Sequence, residues 1–127
     1  MKKPINFIIT PGLFHFDLMV SIGQSNDELI EALKNKSADL TEADPVINMD
    51  SNARLLQLTN GTMILRVRNN IDSIFWLSVL QHEIFHAATF ILDRAGVKFC
   101  LTSSDEVYAY LIQDLTYKIY SELKIKV

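Results

Sequence analysis

Two histidines and a glutamate in the segment SVLQHEIFHAATF, Ser78 to Phe90, have the residue types and the spacing of a metal site. His82 and His86 are four residues apart, so in a helix both imidazoles project from one face and can reach the same ion. Glu83 is turned by about 100° from His82 around the helix axis, so its carboxylate can stand beside the ion without binding it. There it can take a proton from an activated water molecule. The pattern HExxH therefore predicts a zinc site, with Zn²⁺ held by the histidines and Glu83 as general base.

The residues around this pattern favour a buried metal-binding helix. The uncharged neighbours are Val79, Leu80, Gln81, Ile84, Phe85, Ala87 and Ala88. A charged neighbour would lose its hydration in such a place without gaining a partner. The alternative is a metal-free helix in which the histidines bond carbonyl groups or water and Glu83 is solvated.

A catalytic zinc ion usually has three protein ligands and one open position, so the pattern needs a third ligand. Glu106 is our first candidate, because it opens a predicted last helix 20 residues after His86, and an antiparallel return of that helix could bring it to the metal. The segment SSDE from Ser103 also matches a capping box, in which Glu106 would bond back to the Ser103 backbone instead. Asp105 is the fallback ligand, and His15, on the polar face of an early strand, is a further candidate.

The two segments HEIFHA and DEVYAYL together resemble the gluzincin class of zinc peptidases, which combine HExxH with a later glutamate. They are most similar to the minimal versions, the ImmA/IrrE-like and related peptidases of phages and mobile elements. In these, a small residue follows the third-ligand glutamate at its i+3 position, and Glu106 and Ala109 match that spacing. The resemblance covers about Ile71 to Leu115, a little over a third of the chain.

The resemblance implies His82, His86 and Glu106 as metal ligands, Glu83 as general base, and a sheet strand beside the metal helix that holds an extended peptide. The sequence departs from the larger gluzincins at Tyr110, where those proteins carry an acid four residues after the ligand. The usual partner that orients the ligand is therefore missing at that position.

Other side chains could support the reaction. Tyr110, one turn after Glu106, is a candidate for stabilising the tetrahedral oxyanion, ahead of Tyr108 and Tyr117. Asp93, seven residues after His86, could orient that ring, although a surface acid near a helix end is the competing interpretation.

The hydrophobic pattern predicts two strands and a helix in the first third of the chain. Ile5–Ile9 is a short apolar run cut off by Pro11 and Gly12, which indicates a first strand. The segment from Phe14 to Ile22 alternates apolar and polar residues and so predicts a half-buried strand. Ser25 and Glu28 form a capping-box pattern that opens a helix of about three turns. We expect a loop from Ser37 to Ala53.

The segment RLLQLTNGTMILRVRN predicts a β-hairpin. A two-residue turn at Asn60-Gly61 would pair Leu58 with Met63 and Leu56 with Leu65. The second strand, Thr62–Arg68, could offer its edge to a peptide.

From Ile71 the period becomes helical, and one long helix is expected to end near Gly96. A last helix follows from Ser103, with an apolar side formed by Val107, Leu111, Leu115 and either Tyr108 or Ile119. The predicted fold is α+β and zincin-like, a mixed or antiparallel sheet packed on the metal helix.

Composition limits the class of protein. The 127 residues, with 49% hydrophobic and 21% charged, are enough for one domain, residues 1–127. A net charge of −3 argues against nucleic acid as a partner, and no run approaches the roughly 20 apolar residues of a membrane span. The single cysteine fits a reduced, cytoplasmic setting.

From the motif and the resemblance together we expect a zinc metallopeptidase acting on a peptide or protein. The alternatives are a zinc-containing non-proteolytic protein of a phage or mobile element, and a metal-free interaction domain.

Overall fold

The computed structural model describes residues 3–12, 14, 16–35, 51–58 and 61–125. In chain order its elements are β1 (Ile5–Ile9), β2 (Leu18–Ile22), α1 (Asn26–Asn35), β3 (Ala53–Gln57), β4 (Met63–Val67), α2 (Ile74–Arg94) and α3 (Asp105–Leu123). The predicted α+β class is confirmed. Most of the predicted loop, residues 37–50, lies outside the described residues, and Ala53 at its end already belongs to β3.

The four strands form one mixed sheet in the order β1-β2-β4-β3. The outer pairs, β1–β2 and β3–β4, are antiparallel, and the central pair β2–β4 is parallel. β1 and β3 are therefore the edge strands of the sheet. β4 has a neighbour on each side, so the prediction that the strand Thr62–Arg68 offers its edge to a peptide is wrong, and β3 has the open edge instead.

Helices cover both faces of the sheet. The side chains of Leu18, Val20 and Ile22 join the larger core beneath α2 and α3. Met19, which points the other way, packs in a second cluster with α1 residues. The prediction that β2 is half-buried is therefore wrong, because α1 lies over the face that the alternation marks as polar. The strand also begins at Leu18 rather than at Phe14.

The hairpin forms, but its register differs from the prediction by one residue. Leu58 N donates to Thr62 O at 2.8 Å, and Gly61 N donates to Leu58 O at 2.9 Å. The ladder pairs Leu55 with Leu65, Leu56 with Ile64 and Gln57 with Met63. The bond between Leu58 and Thr62 closes the ladder, and Gly61, with φ of 95°, takes a left-handed conformation in the connection before β4. Asn60 lies outside the described residues.

The start of α1 and both ends of α2 follow the sequence signals closely. At the start of α1 Ser25 N donates to Glu28 Oε1 at 2.9 Å and Glu28 N donates to Ser25 Oγ at 3.1 Å, which confirms the capping box. In α2 the Ser73 hydroxyl accepts from Trp76 N, and the positive φ of Gly96 follows the last turn. No helix in the described ranges is both long and apolar enough to cross a membrane.

The last helix turns a slightly different face to the core than expected. Its buried residues are Tyr108, Leu111, Leu115 and Ile119. Tyr108 and Ile119 are thus both buried, whereas Val107 is 38% exposed and was wrongly assigned to the apolar side.

Candidate metal centre

α2 buries one side and leaves the two histidines of the motif on the other. Its buried apolar residues are Leu80, Ile84, Ala87, Ala88, Ile91 and Leu92. Their spacing of three and four residues makes one stripe that packs on the sheet and on α3. His82 and His86 fall on the opposite side, where His82 is exposed and His86 is half-buried. Glu83 lies between the stripe and the histidines.

The two imidazoles are direct neighbours. Their Nε2 atoms are 3.1 Å apart, and the ring centroids are 4.8 Å apart. Two nitrogens bound to one tetrahedral zinc at 2.0–2.1 Å would be separated by about 3.3 to 3.4 Å. The observed pair therefore needs only a few tenths of an ångström of adjustment to bind one ion.

Glu83 completes a three-residue set, the His–Glu–His group (His82, Glu83, His86), whose ligand atoms lie within 4.8 Å of one another. The Glu83 side chain is only 6% exposed. Its Oε2 atom is buried and has no hydrogen-bond partner among the described residues. Burial raises the pKa of this carboxyl above its ordinary value, and the two neighbouring imidazoles oppose that rise.

An open cavity of about 320 Å³ lies beside the group, lined by Asn52, Ala53, Ser78, Val79, His82 and Glu83. At this cavity the start of β3 lies beside the middle of α2. Asn52 and Ala53 were missed by the sequence analysis, which placed both in a loop. The sequence does carry a signal for a strand here, because the apolar Ala53 and Leu55 alternate with the charged Arg54 at the start of the hairpin.

Glu106 does not join the His–Glu–His group in the described part of the chain. It is an exposed residue in the first turn of α3. α3 docks on α2 through Gln81, whose Oε1 accepts from the Tyr120 hydroxyl at 2.9 Å. Gln81 and His86 are roughly 140° apart around the helix axis, so α3 lies on a different flank of α2 from the histidines. Glu106, and Asp105 beside it, stay predictions as third ligand.

The capping box that competed for Glu106 is wrong. α3 has Ser104 rather than Ser103 as its N-cap, and no side chain caps it. The Ser104 hydroxyl instead accepts from Cys100 N and donates to Lys98 O, both at 2.6 Å. It holds together the turn that leads into α3.

The other described candidates lie apart from the group. Tyr110 is 66% exposed and lines a separate cavity between α3 and the segment after β1. Tyr108 is buried and its hydroxyl donates to Val97 O, whereas Tyr117 is exposed. Asp93 is exposed and lines a cavity near the end of α2. His15 lies outside the described residues.

Comparison with known proteins gave no relative, because no family model, no curated protein and no solved structure matches the chain. The interpretation of the His–Glu–His group therefore rests on the group's own geometry and on the residues of the motif.

Proposed function

We propose that the protein is a small zinc peptidase of the gluzincin type, in which His82 and His86 hold the ion and Glu83 transfers protons. The observation that carries this proposal is the buried carboxyl of Glu83, whose Oε2 has no hydrogen-bond partner among the described residues and one oxygen of which lies within 4.8 Å of a ring nitrogen of each histidine. Leaving a buried polar group unsatisfied costs about 1–3 kcal/mol. Such a cost is typical of a functional site, where a group is kept ready for a ligand or a proton.

The residues present fit a zinc ion. Imidazole nitrogen is a common zinc ligand, and the separation of the two Nε2 atoms is close to that of a bound pair. The exposure of His82 leaves room for a further ligand and for substrate. When bound, zinc would lower the pKa of a water molecule and polarise the peptide carbonyl.

The chain's own residues would then move the protons. The carboxyl of Glu83 would accept a proton as water adds to the carbonyl carbon. The same carboxyl passes a proton to the amide nitrogen as the C–N bond breaks, which gives a carboxylic acid and an amine. Burial favours proton uptake by this carboxyl, because desolvation disfavours its charged form.

The surrounding fold supports the zincin-like part of the proposal. A mixed sheet packs on the metal helix, and the edge strand β3 borders the cavity beside His82 and Glu83. An edge strand in that place is what the gluzincin resemblance implies for holding an extended substrate. Glu106 remains our proposed third ligand, with Asp105 as its alternative.

The test is a comparison of the wild-type protein with Glu83→Gln, both purified without a histidine tag. We expect both proteins to bind one zinc ion per chain. The variant should cleave peptides of a library at least 100-fold more slowly, because losing a general base typically costs 10²–10⁴-fold. Glu122→Gln, an exposed change on α3, is the matched control and should keep full activity. Unchanged hydrolysis by Glu83→Gln would remove Glu83 from the mechanism.

The second candidate is a zinc-containing protein without peptidase activity, of a phage or mobile element. It is favoured by the composition of the His–Glu–His group, which supplies two histidines and one glutamate but no further ligand from the described residues. One zinc per chain with no hydrolysis by the wild-type protein would select this candidate. Zinc well below one per chain after supplementation would instead select a metal-free interaction domain.

A further inference from the structure

A second cavity, of about 380 Å³, lies between α3 and the segment after β1 and shares no lining residue with the cavity beside the His–Glu–His group. We call it the α3 cavity, and it is lined by Gly12, Phe14, Val107, Tyr110, Leu111 and Asp114. The four residues from α3 are spaced at i, i+3, i+4 and i+7, so they form one stripe along the helix. This stripe is one wall, and the segment after β1 is the other.

Hydrogen bonds between the two walls hold the α3 cavity in shape. Gly12 N donates to Asp114 Oδ2 at 3.1 Å, and Lys118 Nζ donates to Thr10 O at 2.8 Å. The Thr10 hydroxyl also donates to Asp17 Oδ1 at 2.7 Å, which ties the two ends of the segment after β1 together. The walls therefore have fixed positions before a ligand binds, and a preformed site lowers the entropic cost of binding.

Most of the lining is apolar, and two aromatic rings contribute to it. Leu111 is buried, and Phe14 is half-buried and packs against the larger core. Val107 and Tyr110 are exposed on the same stripe of α3. Single exposed apolar side chains are common, but here they line one concave surface, as small-molecule sites do. The rings of Phe14 and Tyr110 offer π faces to a flat apolar group or to a cation.

Asp114 is the one charged residue among the described residues that line the α3 cavity. Gly12 N and, at 3.0 Å, Lys118 Nζ both bind its Oδ2 atom. The Oδ1 atom accepts no hydrogen bond in the described part of the chain, and the side chain is 34% exposed. A carboxylate can accept about four hydrogen bonds, so Oδ1 retains its capacity for a donor from a ligand.

We propose that the α3 cavity binds a small organic ammonium ion, with an apolar or aromatic body against the apolar lining and N–H groups donating to Asp114 Oδ1. This ligand site goes beyond the proposed peptidase function and does not depend on the metal. Charge complementarity selects the ligand class. An anion would be repelled by Asp114, and a neutral molecule would gain no charge-assisted hydrogen bond there. Lys118 does not fill the site, because it binds Oδ2 and is held by Thr10 O.

A ligand series on the wild-type protein tests the class. The probe is phenethylamine, an ammonium ion at neutral pH, titrated into the isotope-labelled full chain. The Gly12 amide is the reporter in the nuclear magnetic resonance spectrum, because its N–H bonds to Asp114. We expect a saturable shift with a Kd of about 1 mM. Phenethyl alcohol should bind at least five-fold more weakly, and phenylpropionate at least ten-fold. Equal affinity for the amine and the alcohol would overturn the ammonium ligand, and no saturable shift at Gly12 would overturn the site.

Adding a chelator separates this site from the metal centre. Removing zinc should leave the amine affinity that Gly12 reports within twofold. Loss of that affinity with the chelator would place the amine on the metal and overturn the α3 cavity as its site.

Two variants test the role of Asp114 by the preference for the amine over the alcohol. Asp114→Asn keeps an oxygen that can accept from Gly12 N but removes the charge, and the preference should fall at least five-fold. Lys118→Gln removes a cation beside the ligand, so the preference should rise about two- to fivefold. A residue that only holds the walls together would change the binding of both ligands equally. An unchanged preference in folded Asp114→Asn would therefore overturn the assignment.

The aromatic wall has a matched pair of variants. Tyr110→Ala should weaken binding of phenethylamine about three- to fivefold, because the ring face is lost. Tyr117→Ala removes another exposed tyrosine of α3, outside the α3 cavity, and should stay within twofold. Equal effects of the two changes would overturn the assigned wall. Circular dichroism checks that each variant folds, and the ligand series on the wild-type protein decides the proposal if one does not.

Discussion

Glu83 places a carboxylate where burial disfavours its charged form more than the neighbouring imidazoles favour it. Its Oε2 atom is buried without a partner in the described structure, so the metal-free protein carries an uncompensated desolvation cost. The spacing of the histidines and the glutamate could be predicted from the sequence, because all three stand on one helix. The burial of Glu83 could not, because it depends on how closely β3 approaches α2.

Replacing Glu83 by methionine should stabilise the metal-free protein. The change removes the unsatisfied oxygen and keeps an unbranched side chain of similar length, so we expect the free energy of unfolding to rise by about 1–3 kcal/mol. Urea denaturation in the presence of a chelator measures it. Glu122→Met, on an exposed position, should stay within about 0.5 kcal/mol of the wild-type protein. A Glu83→Met protein less stable than the wild type would show that Glu83 has a stabilising partner.

Cys100 should react as a thiolate near neutral pH. Hydrogen bonds from Ser103 and Thr102 lower the pKa of this exposed thiol to about 7, and a lower pKa means that more thiolate is present at any pH below the ordinary value. The rate of alkylation by iodoacetamide should therefore reach half its maximum near pH 7. Ser103→Ala should shift that midpoint upward, toward the usual value of about 8.5. Mass spectrometry reads the product without ambiguity, since the chain has one cysteine. A midpoint above pH 8 in the wild-type protein would contradict the lowered pKa of Cys100.

Elements whose signal is local were predicted well, and elements that depend on a distant neighbour were not. The bounds of β1 and the capping box of α1 follow from composition and spacing. The hairpin register could not be predicted, because Met63, Ile64 and Leu65 are all apolar and all buried. A strand covered on both faces has no polar side, so a shift of one residue leaves the hydrophobic pattern equally satisfied.

The turn before α3 gives a prediction at this scale. Ser104 is buried and its hydroxyl joins Cys100 N to Lys98 O, so removing it leaves both backbone groups without that partner. We expect Ser104→Ala to lower the free energy of unfolding by about 1–2 kcal/mol. Ser121→Ala removes an exposed hydroxyl that bonds Tyr117 O within α3, and should cost under about 0.5 kcal/mol. An equal decrease in the free energy of unfolding in the two variants would show that the Ser104 hydrogen bonds stabilise the fold no more than the Ser121 bond does.

At the scale of the whole molecule, the proposed metal site depends on how distant elements pack against α2. The motif lies on α2, but a third ligand would have to come from packing between elements that are distant in sequence. Gln81 holds α2 and α3 together through Tyr120 and Thr116, whereas its place in the sequence marks it only as an uncharged neighbour of the motif. An antiparallel α3 could therefore be predicted from the sequence, but the flank of α2 on which α3 packs could not.

Zinc binding and stability should be linked through the ligands, which makes thermal unfolding a direct test of them. A zinc concentration 100-fold above Kd should stabilise the folded protein by about 2.7 kcal/mol, and His86→Ala should abolish this stabilisation. If Glu106 is the third ligand, Glu106→Ala should weaken zinc binding at least ten-fold, and the stabilisation should fall by about 1.4 kcal/mol. Asp105→Ala should then bind zinc as the wild-type protein does, with Glu122→Ala as control. The reverse result would make Asp105 the third ligand. Unchanged affinity in both variants would mean that α3 contributes no ligand, because losing a direct ligand cannot leave the free energy of metal binding unaltered.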